Sequence, residues 1–473
     1  MRRAEPRTAG RRRARGQALV LGLVVVVLLA AGMLTTYELS RAIVEKVRLQ
    51  DAADATAYSL ATLEARSLNF VAFANRAQIA NYVQMMEAQS LLSSATFGQS
   101  VTGILRDVLG AEAPALVGID EAASGYLDYL DEVVPRYVAA QTTRNYLLFA
   151  TSLAAVLATA AQVADGGREV ALANDPAVRF GAAFDLARAA NVAAYLGAFD
   201  WRGLPPAASD ADRAARERAV AELTNASRYG SGLAAMVTGR PLGAFVLQAL
   251  GPALEVVPAL GAVADGIARA TFTGTTKLLR RHGAALPSVG DTARDDTDPA
   301  ARTDVLAAKD EVGGSLLAGL PGGAGLPLPR GAVVSSPSRS VHCRYAGTLA
   351  VRCDPEGGRH DWRGLFGLRG GIAPFLASRG AAADGGSGEP DVWVVLAKNR
   401  AGARGPADAW ALARAQAYYH RPGAWQESPN LFNPFWAARL APADVRAVRA
   451  GGDAALADEL ARLLADTLPA LVH

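Results

Sequence analysis

An uncharged apolar run near the N-terminus constrains this chain more than any other feature. Residues 16–36 contain no charged side chain, and seven arginines and one acid, Glu5, precede them. A helix of about 20 residues crosses the bilayer core, which is roughly 30 Å thick, and satisfies its own backbone hydrogen bonds there. We therefore predict a transmembrane helix over residues 16–36. Residues 1–15 form a basic tail that is predicted to stay on the cytoplasmic side.

The predicted span has two kinds of notable residue, large apolar side chains and glycines. The large side chains that anchor it in lipid are Leu19, Leu23, Val26, Leu28 and Leu29. Gly22 and Gly32 have no side chains, so a second helix can approach closely at those two positions. A cleaved signal peptide is the alternative, because it also combines a basic start with an apolar core. The usual signal core of about 7–15 residues is shorter than this run, which favours a retained anchor.

The overall composition excludes some classes of protein. The net charge is +3, of which residues 1–16 carry +6, so the rest of the 473-residue chain carries −3. The basic character therefore belongs to the flank of the span, and we expect no nucleic-acid partner. About half of the residues are apolar, which is enough for a sizeable core. The heavy use of Ala, Gly and Arg indicates a GC-rich genome, which is a hint of a bacterial source.

The segment after the span reads as a continuous helix. Residues 37–64 contain neither Gly nor Pro, and we predict a stalk helix over this range. Ile43, Val47 and Leu49 predict an apolar seam for a partner. The stalk includes the run Leu49-Gln50-Asp51-Ala52-Ala53-Asp54-Ala55-Thr56-Ala57.

The order Arg-Gly-Gln-Ala, apolar span, polar helix and Leu-Gln-x-Ala-Ala-Asp-Ala resembles the N-terminus of TadE/TadG-like proteins of Flp (tight adherence) pilus assembly. The resemblance covers roughly residues 15–62. It implies a structural role in a pilus or related secretion apparatus, with the inner membrane and pilin-like proteins as partners. The chain has no Asp-x-Ser-x-Ser motif of the von Willebrand A type, which some TadG-like proteins carry. Leu21 stands where prepilin peptidase substrates usually have Glu, which argues against processing as a pilin.

Residues 65–282 are predicted to form a helical extracytoplasmic domain. Asn69, Asn75 and Asn81 are expected to bond locally within a buried helix, with an assembly face as the alternative. The uncharged run 145–164 is rich in Ala, Thr and Ser, so we favour a buried helix. A second span is the alternative, and it would return the C-terminal part to the cytoplasm. A charged helix over 207–229, including Asp212, is expected to face solvent.

Residues 283–338 have the composition of a linker, and residues 339–473 are predicted to form a small α+β region. Its expected elements are a hairpin over 340–353, a buried strand over 391–397, a helix over 407–419 and a helix within 442–468. The aromatic, proline-rich segment 420–440 is expected to pack rather than flex. Its Asn-Leu-Phe-Asn-Pro-Phe-Trp run resembles a C-terminal pattern of longer TadG-like envelope proteins.

The two cysteines, Cys343 and Cys353, are predicted to form a disulfide across the hairpin. Such a bond suits a compartment outside the cytoplasm. The alternative is a zinc site that adds His342 and His360. The adjacency of His342 and Cys343 weakens that alternative, because neighbouring residues of a strand point to opposite faces.

The strongest catalytic motifs are missing from the sequence. It contains no Gly-x-Ser-x-Gly, no phosphate-binding Gly-x-x-x-x-Gly-Lys-Ser/Thr and no His-Glu-x-x-His. Two pairs remain as possible acid–base partners, namely His360 with Asp361 and His420 with Glu427. We expect no enzyme activity, no cofactor and no resident metal.

The sequence as a whole predicts a mainly α, single-pass protein of the bacterial inner membrane. Its N-terminus would be cytoplasmic, its bulk periplasmic or extracellular, and its function structural. The alternative is a secreted or periplasmic enzyme or binding protein with a cleaved leader.

Overall fold

A computed structural model gives the fold of the chain. Its described part consists of residues 10–109, 114–201, 211–212, 214–215, 218, 273–282, 304–313, 315–316, 326–327, 331–335, 340–345, 351–356, 373, 375–379, 388–399, 409–423, 427–443 and 454–472. This part is mainly helical, as the sequence predicts. The predicted domain boundaries stay predictions.

The longest element is the N-terminal helix α1, Gly10–Leu109, of 100 residues. At a rise of about 1.5 Å per residue it is about 150 Å long. It joins the predicted span, the predicted stalk and the predicted buried helix that carries Asn69, Asn75 and Asn81 into one uninterrupted element. The sequence contains no Gly or Pro between residues 33 and 97, so nothing in the backbone chemistry ends the helix there.

Helix α2, Pro114–Asp165, runs back along α1 in the antiparallel direction. Three pairs of residues show the register. Thr102 donates to Asp120, Gln84 accepts from Gln141, and Asn81 donates to Asn145. The uncharged run 145–164 is the C-terminal half of α2. Its buried face includes Val156 and Val163, whereas other side chains of the run face outward.

A three-stranded antiparallel sheet forms the middle layer of the body. Strands β8, Asp391–Lys398, β9, Ala409–Tyr419, and β10, Trp436–Ala441, are arranged in the order β10-β9-β8. The side chains of β8 alternate between two helical layers. Val392, Val394 and Leu396 pack with α1, while Trp393 and Val395 pack with α4, Ala182–Gly197, and α5, Ala454–Val472. The buried strand predicted over 391–397 is therefore confirmed.

Two short segments follow α2 and complete this part of the fold. Helix α3, Arg168–Asn174, follows α2 after Gly166 and Gly167, which have positive φ angles of 74° and 66°. A side chain at Gly167 would come within 2.8 Å of Thr56 Cγ2 on α1, so this turn needs glycine for both reasons. Arg179 and Ala397 then form an isolated antiparallel bridge, and α4 begins after it at Ala182.

A second sheet lies in the region predicted to be mainly helix and linker. Its strands are β1, Thr273–His282, β2, Asp304–Gly313, β5, Gly331–Ser335, β6, Ser340–Tyr345, and β7, Val351–Glu356, in the order β1-β2-β5-β6-β7. The short strands β3, Ser315–Leu316, and β4, Leu326–Pro327, pair separately. The predicted hairpin over 340–353 is present as β6 and β7. Strands β2 to β5 lie within the predicted linker.

The helix predicted over 407–419 is wrong, because these residues form β9. The sequence Ala-Trp-Ala-Leu-Ala-Arg-Ala-Gln-Ala favours helix by the propensity of alanine. In the sheet, however, every second residue is buried, and Ala411, Ala413 and Ala415 face α1. The period of two decides the structure, because burial of this alanine row against a helix outweighs a weak local preference. The helix predicted within 442–468 is found as α5, slightly farther along the chain.

Candidate functional site

The predicted anchor is a bare stretch of α1. Leu19, Leu23, Val26, Leu28 and Leu29 are 61–73% exposed. A side chain built at Gly22 or Gly32 would meet nothing within 4 Å. Leaving this much contiguous apolar surface in water is costly at about 25 cal/mol for each Å². The segment therefore needs a lipid or protein environment that the described part of the chain does not supply.

The body of the protein begins ten residues beyond Thr36. Lys46 donates its Nζ proton to the carbonyl oxygen of Trp410, and its ammonium lies 5.5 Å from the centre of the Trp410 ring. One turn later, Gln50 Nε2 donates to the carbonyl oxygen of Leu412 at 3.0 Å. A helix of ten residues is about 15 Å long. Residues 46–64 of the predicted stalk are thus part of the body. Residues 37–45, seven of which are exposed in the described structure, form the free part of the stalk.

The alanine-rich motif that follows Leu49 is a packing seam. Leu49, Ala52, Ala53 and Ala57 are completely buried against the alanine row of β9. Small side chains on both elements let the helix lie close to the sheet. Leu49 therefore faces the chain's own core, and the seam predicted for a partner is reduced to Ile43 and Val47, which are about half exposed.

Side-chain amides of α1 hold the C-terminal segments in place. Asn69 forms two hydrogen bonds with the backbone of Trp436. It donates to the carbonyl oxygen at 2.8 Å and accepts from the N–H at 2.9 Å. Asn75, which is buried, donates to the carbonyl oxygens of Leu376 at 2.8 Å and Leu431 at 2.7 Å. These are long-range bonds, so neither the predicted local bonding nor the alternative assembly face describes Asn69 and Asn75.

The spacing of the three asparagines explains why the sequence did not indicate their long-range hydrogen bonds. Residues six apart are rotated by about 600° around a helix, so they face different directions. Asn69 meets β10, Asn75 meets the segments around 376 and 431, and Asn81 meets α2. This is the arrangement expected of a central helix that is covered on several sides.

Asp212 was predicted to face solvent, and this prediction is wrong. Its carboxylate is fully buried and accepts from the backbone N–H of Ser378 at 2.9 Å and of Leu431 at 2.8 Å. It also accepts from the Ser378 hydroxyl. A buried carboxylate is stable only with such donors. Asp212 therefore links the segments that contain Ser378 and Leu431 through hydrogen bonds.

The aromatic segment 420–440 packs as predicted. Asn430 Oδ1 accepts from the backbone N–H groups of Phe432 and Asn433, both at 3.0 Å, and so stabilises a turn. Its carbonyl oxygen accepts from Trp436 Nε1 at 3.0 Å. Tyr419 lies edge-to-face with Trp436, with 5.5 Å between the ring centres.

Glu64 is the one buried carboxyl group of α1 that lacks a hydrogen-bond partner among the described residues. Burial, and secondarily the negative charge of Asp391, raises the pKa of Glu64 well above its usual value. Burial also raises the pKa of nearby Tyr195 to about 12, and the Tyr195 hydroxyl donates to Ser67 Oγ at 2.7 Å. Burial of this kind favours the protonated form of a carboxyl group.

The two cysteines that were predicted to form a disulfide lie directly opposite each other on paired strands. The Cα positions of Cys343 and Cys353 are partners in the antiparallel pairing of β6 with β7, and His342 is opposite Asp354. The disulfide itself stays a prediction. His360 and Asp361 lie outside the described residues. Among the residues that the structure describes, no group of three or more His, Cys, Asp or Glu is placed to hold a metal ion.

The predicted pairing of His420 with Glu427 gains no support from the contacts. Glu427 accepts from Arg218 at 2.7 Å, Arg421 at 3.0 Å and Asn433 at 2.8 Å. Burial would raise the pKa of Glu427, but these hydrogen bonds outweigh it and the pKa lies below its usual value. The carboxylate is an ion-paired structural group, and no contact in the described part joins it to the His420 ring.

Comparison with known proteins adds one result. Residues 16–61 match the family model described as putative Flp pilus-assembly TadE/G-like. The matched range begins with the apolar run and ends in the alanine seam within the body. No curated protein and no solved structure matches the chain. The chain thus has a Tad-type N-terminal segment, followed by a larger part to which the match does not extend.

Proposed function

We propose that the chain is a single-pass, inner-membrane protein of the bacterial envelope that takes part in assembly of a Tad/Flp-type pilus or a related secretion apparatus. Its role is structural rather than catalytic. Residues 16–36 anchor it, residues 1–15 are cytoplasmic, and the body lies on the extracytoplasmic side. Its partners are other pilus-assembly or pilin-like proteins, which contact the anchor and the free part of the stalk.

One observation carries this proposal: the match to the Tad family model coincides with the exposed apolar segment and its helical connection to the body. Because α1 continues unbroken from the anchor through residue 109, a single helix joins the anchor to the body. A cleaved leader would remove the apolar segment from that helix. The unbroken helix therefore favours a retained anchor.

The packing of α2 supports a single span. Two helices of the described part, Leu19–Met85 and Val117–Asp165, are long and apolar enough to cross a membrane. The second packs along a part of α1 that carries Arg66 and Arg76. Each charge at the centre of a bilayer costs about 2.5–3.5 kcal/mol or more. A pair of helices with these charges is expected to remain outside the membrane.

The test is the substitution Leu28→Arg at the centre of the anchor. It should lower the membrane-bound fraction of the protein, because it adds a cost of about 3 kcal/mol to insertion. The measurement is fractionation of cells, together with periplasmic and cytoplasmic reporter fusions after residues 60 and 170 of the full chain. Leu28→Ala is the matched control, since it shortens the same side chain without adding a charge.

The outcomes separate the possibilities. Loss of membrane binding and of surface fibres in Leu28→Arg, but not in Leu28→Ala, supports the proposal. Full membrane retention of Leu28→Arg with normal fibres contradicts it. A cytoplasmic reporter signal after residue 170 establishes a second span, and an N-terminus that begins beyond residue 30 establishes a cleaved leader.

A further inference from the structure

An open apolar groove lies between α1 and α2, far from the anchor. Its cavity has a volume of about 370 Å³ and is lined by Ala77, Asn81, Arg144, Leu147, Leu148 and Thr151. Leu147 is 58% exposed, and Phe73, one turn from Ala77 on α1, is 61% exposed. Phe73 does not line the cavity itself, but it extends the exposed apolar surface along α1, and an open groove with such a border is typical of an interaction site.

The exposed face of α2 extends the groove into a strip. Leu147, Thr151, Ala154 and Leu157 are exposed and recur every three or four residues. No charged residue occurs between 145 and 164. Exposed uncharged side chains that recur at this spacing form one face of a helix, against which a second helix can pack. The strip from residue 144 to 157 is about 20 Å long, which matches three to four turns of a partner helix.

Arg144 gives the groove a charge at one end. Its guanidinium has a single hydrogen bond in the described part, of 3.4 Å, to Gln141 on its own helix. Among the described residues, no carboxylate forms an ion pair with it. An exposed guanidinium next to an apolar strip favours a ligand that brings a carboxylate to that end, because a forked guanidinium binds carboxylates in two-pronged geometry.

We propose that this α1–α2 groove binds an amphipathic helix of a partner protein, with its apolar side chains on the strip and a carboxylate on Arg144. The proposal rests on the proposed function, which supplies a partner on the same side of the membrane. On α1 the groove lies opposite residues 73–81, about 60 Å beyond the end of the anchor. The docked helix therefore belongs to the extracytoplasmic part of the partner.

Pairing of two copies of the chain through α2 does not fit this groove. Antiparallel pairing of two α2 helices would point the two anchors in opposite directions, away from a shared membrane. Parallel pairing in register would place Arg144 against Arg144, and like charges repel. The occupant that we propose is a helix of a different protein, which inserts apolar side chains at positions i, i+3, i+4 and i+7.

The experiment uses the full chain in lipid nanodiscs and a labelled synthetic helix of about 18 residues. The peptide has Ala and Leu on one face, Lys on the other, and a single Glu at the edge of the apolar face. A second peptide has Gln in place of that Glu. Fluorescence anisotropy gives the Kd of each, and empty nanodiscs report binding to lipid.

We expect the Glu peptide to bind about fivefold more tightly than the Gln peptide, because only a carboxylate forms charge-assisted bonds with Arg144. Arg144→Gln should remove this difference. Leu147→Asp should weaken both peptides at least tenfold, because a charge then lies in the apolar strip. Leu440→Asp is the matched control, since Leu440 is 51% exposed on β10, away from the groove, and should leave both affinities unchanged.

Two results overturn the proposal. The first is that a peptide binds the Leu147→Asp variant with the same Kd as the Leu440→Asp variant. The other is a phospholipid that native mass spectrometry finds bound to the unmodified protein and absent from Leu147→Asp, which makes the groove a lipid site. Peptide binding is measured on purified protein, so it can fail while the Leu28→Arg test succeeds, or succeed while that test fails.

Discussion

The side chain of Asn75 offers the sharpest test of how α1 organises the body. Its amide nitrogen donates to two buried carbonyl oxygens, those of Leu376 and Leu431. These carbonyls belong to two segments that are far apart in sequence and that have little regular structure of their own. Removal of the amide should therefore loosen both segments at once.

The expected magnitude follows from these two contacts. Leaving a buried acceptor without its donor costs about 1–3 kcal/mol. Asn75 Oδ1 has no partner in the described part, so its removal offsets a little of this loss. Asn75→Ala should then lower the free energy of unfolding by about 2–4 kcal/mol. This is a large fraction of the roughly 5–15 kcal/mol that stabilises a typical protein.

Asn75→Asp should cost more than Asn75→Ala at neutral pH, because a carboxylate donates no hydrogen bond and repels both carbonyl oxygens. Near pH 4 the protonated carboxyl group can donate one of the two bonds. The deficit of Asn75→Asp relative to Asn75→Ala should therefore shrink as the pH falls.

The assay is urea unfolding of the full chain in detergent, followed by the fluorescence of its tryptophans. Trp393 and Trp436 are buried in the body, so their emission reports on its packing. Hydrogen exchange measures the local effect, and it should quicken in residues 375–379 and 427–436 before other segments.

Asn174→Ala is the control for this series. Asn174 is exposed and donates to the carbonyl oxygen of Val170 on its own helix at 2.8 Å. Its loss should change the free energy of unfolding by less than about 0.5 kcal/mol. If Asn75→Asp and Asn174→Ala prove equally stable, the argument that α1 holds these segments through Asn75 is refuted.

Two further predictions concern titration and the cysteines. The raised pKa of Glu64 means that the folded protein keeps a proton that the unfolded chain loses above pH 4–5. This group therefore stabilises the fold at low pH. Its contribution to the free energy of unfolding is lost as the pH rises towards the pKa of the folded state. Relative to Glu64→Gln, the unmodified protein should therefore lose up to about 1.4 kcal/mol for each pH unit in that window. If the free energy of unfolding of Glu64→Gln depends on pH in the same way as that of the unmodified protein, the argument is contradicted. For Cys343 and Cys353, mass spectrometry under non-reducing conditions should find no alkylated thiol, and reduction should cost about 2–3 kcal/mol in the chain-entropy model. Two alkylated thiols in protein from the oxidising compartment would exclude the disulfide.

The sequence alone was sufficient for features that depend on local chemistry. The apolar run behind seven arginines predicts the exposed helical segment, because length and lack of charge are all that a span requires. The hairpin of β6 and β7 and the buried strand β8 also follow from short-range patterns. The motif around Leu49 identifies a family, and the family match to residues 16–61 confirms this resemblance.

The roles of particular polar residues were decided by the tertiary structure. Asp212 looks like part of a solvated helix face, yet it is buried because Ser378 and Leu431 surround it with donors. Asn69 looks like an isolated amide until β10 pairs with it. Such partners lie hundreds of residues away, and no local pattern indicates them.

Strand β9 shows most clearly what the sequence determines and what the tertiary structure decides. Its alternating alanines are compatible with a helix by propensity and with a strand by period, so the sequence permits both. The alanine row of α1, with Ala53 and Ala57, leaves a flat surface that only a row of small residues on one face can approach closely. A helix would place its larger side chains against that surface, whereas a strand presents Ala411, Ala413 and Ala415 together. Packing against α1 therefore selects the strand, and the sequence by itself could not show which surface would be there.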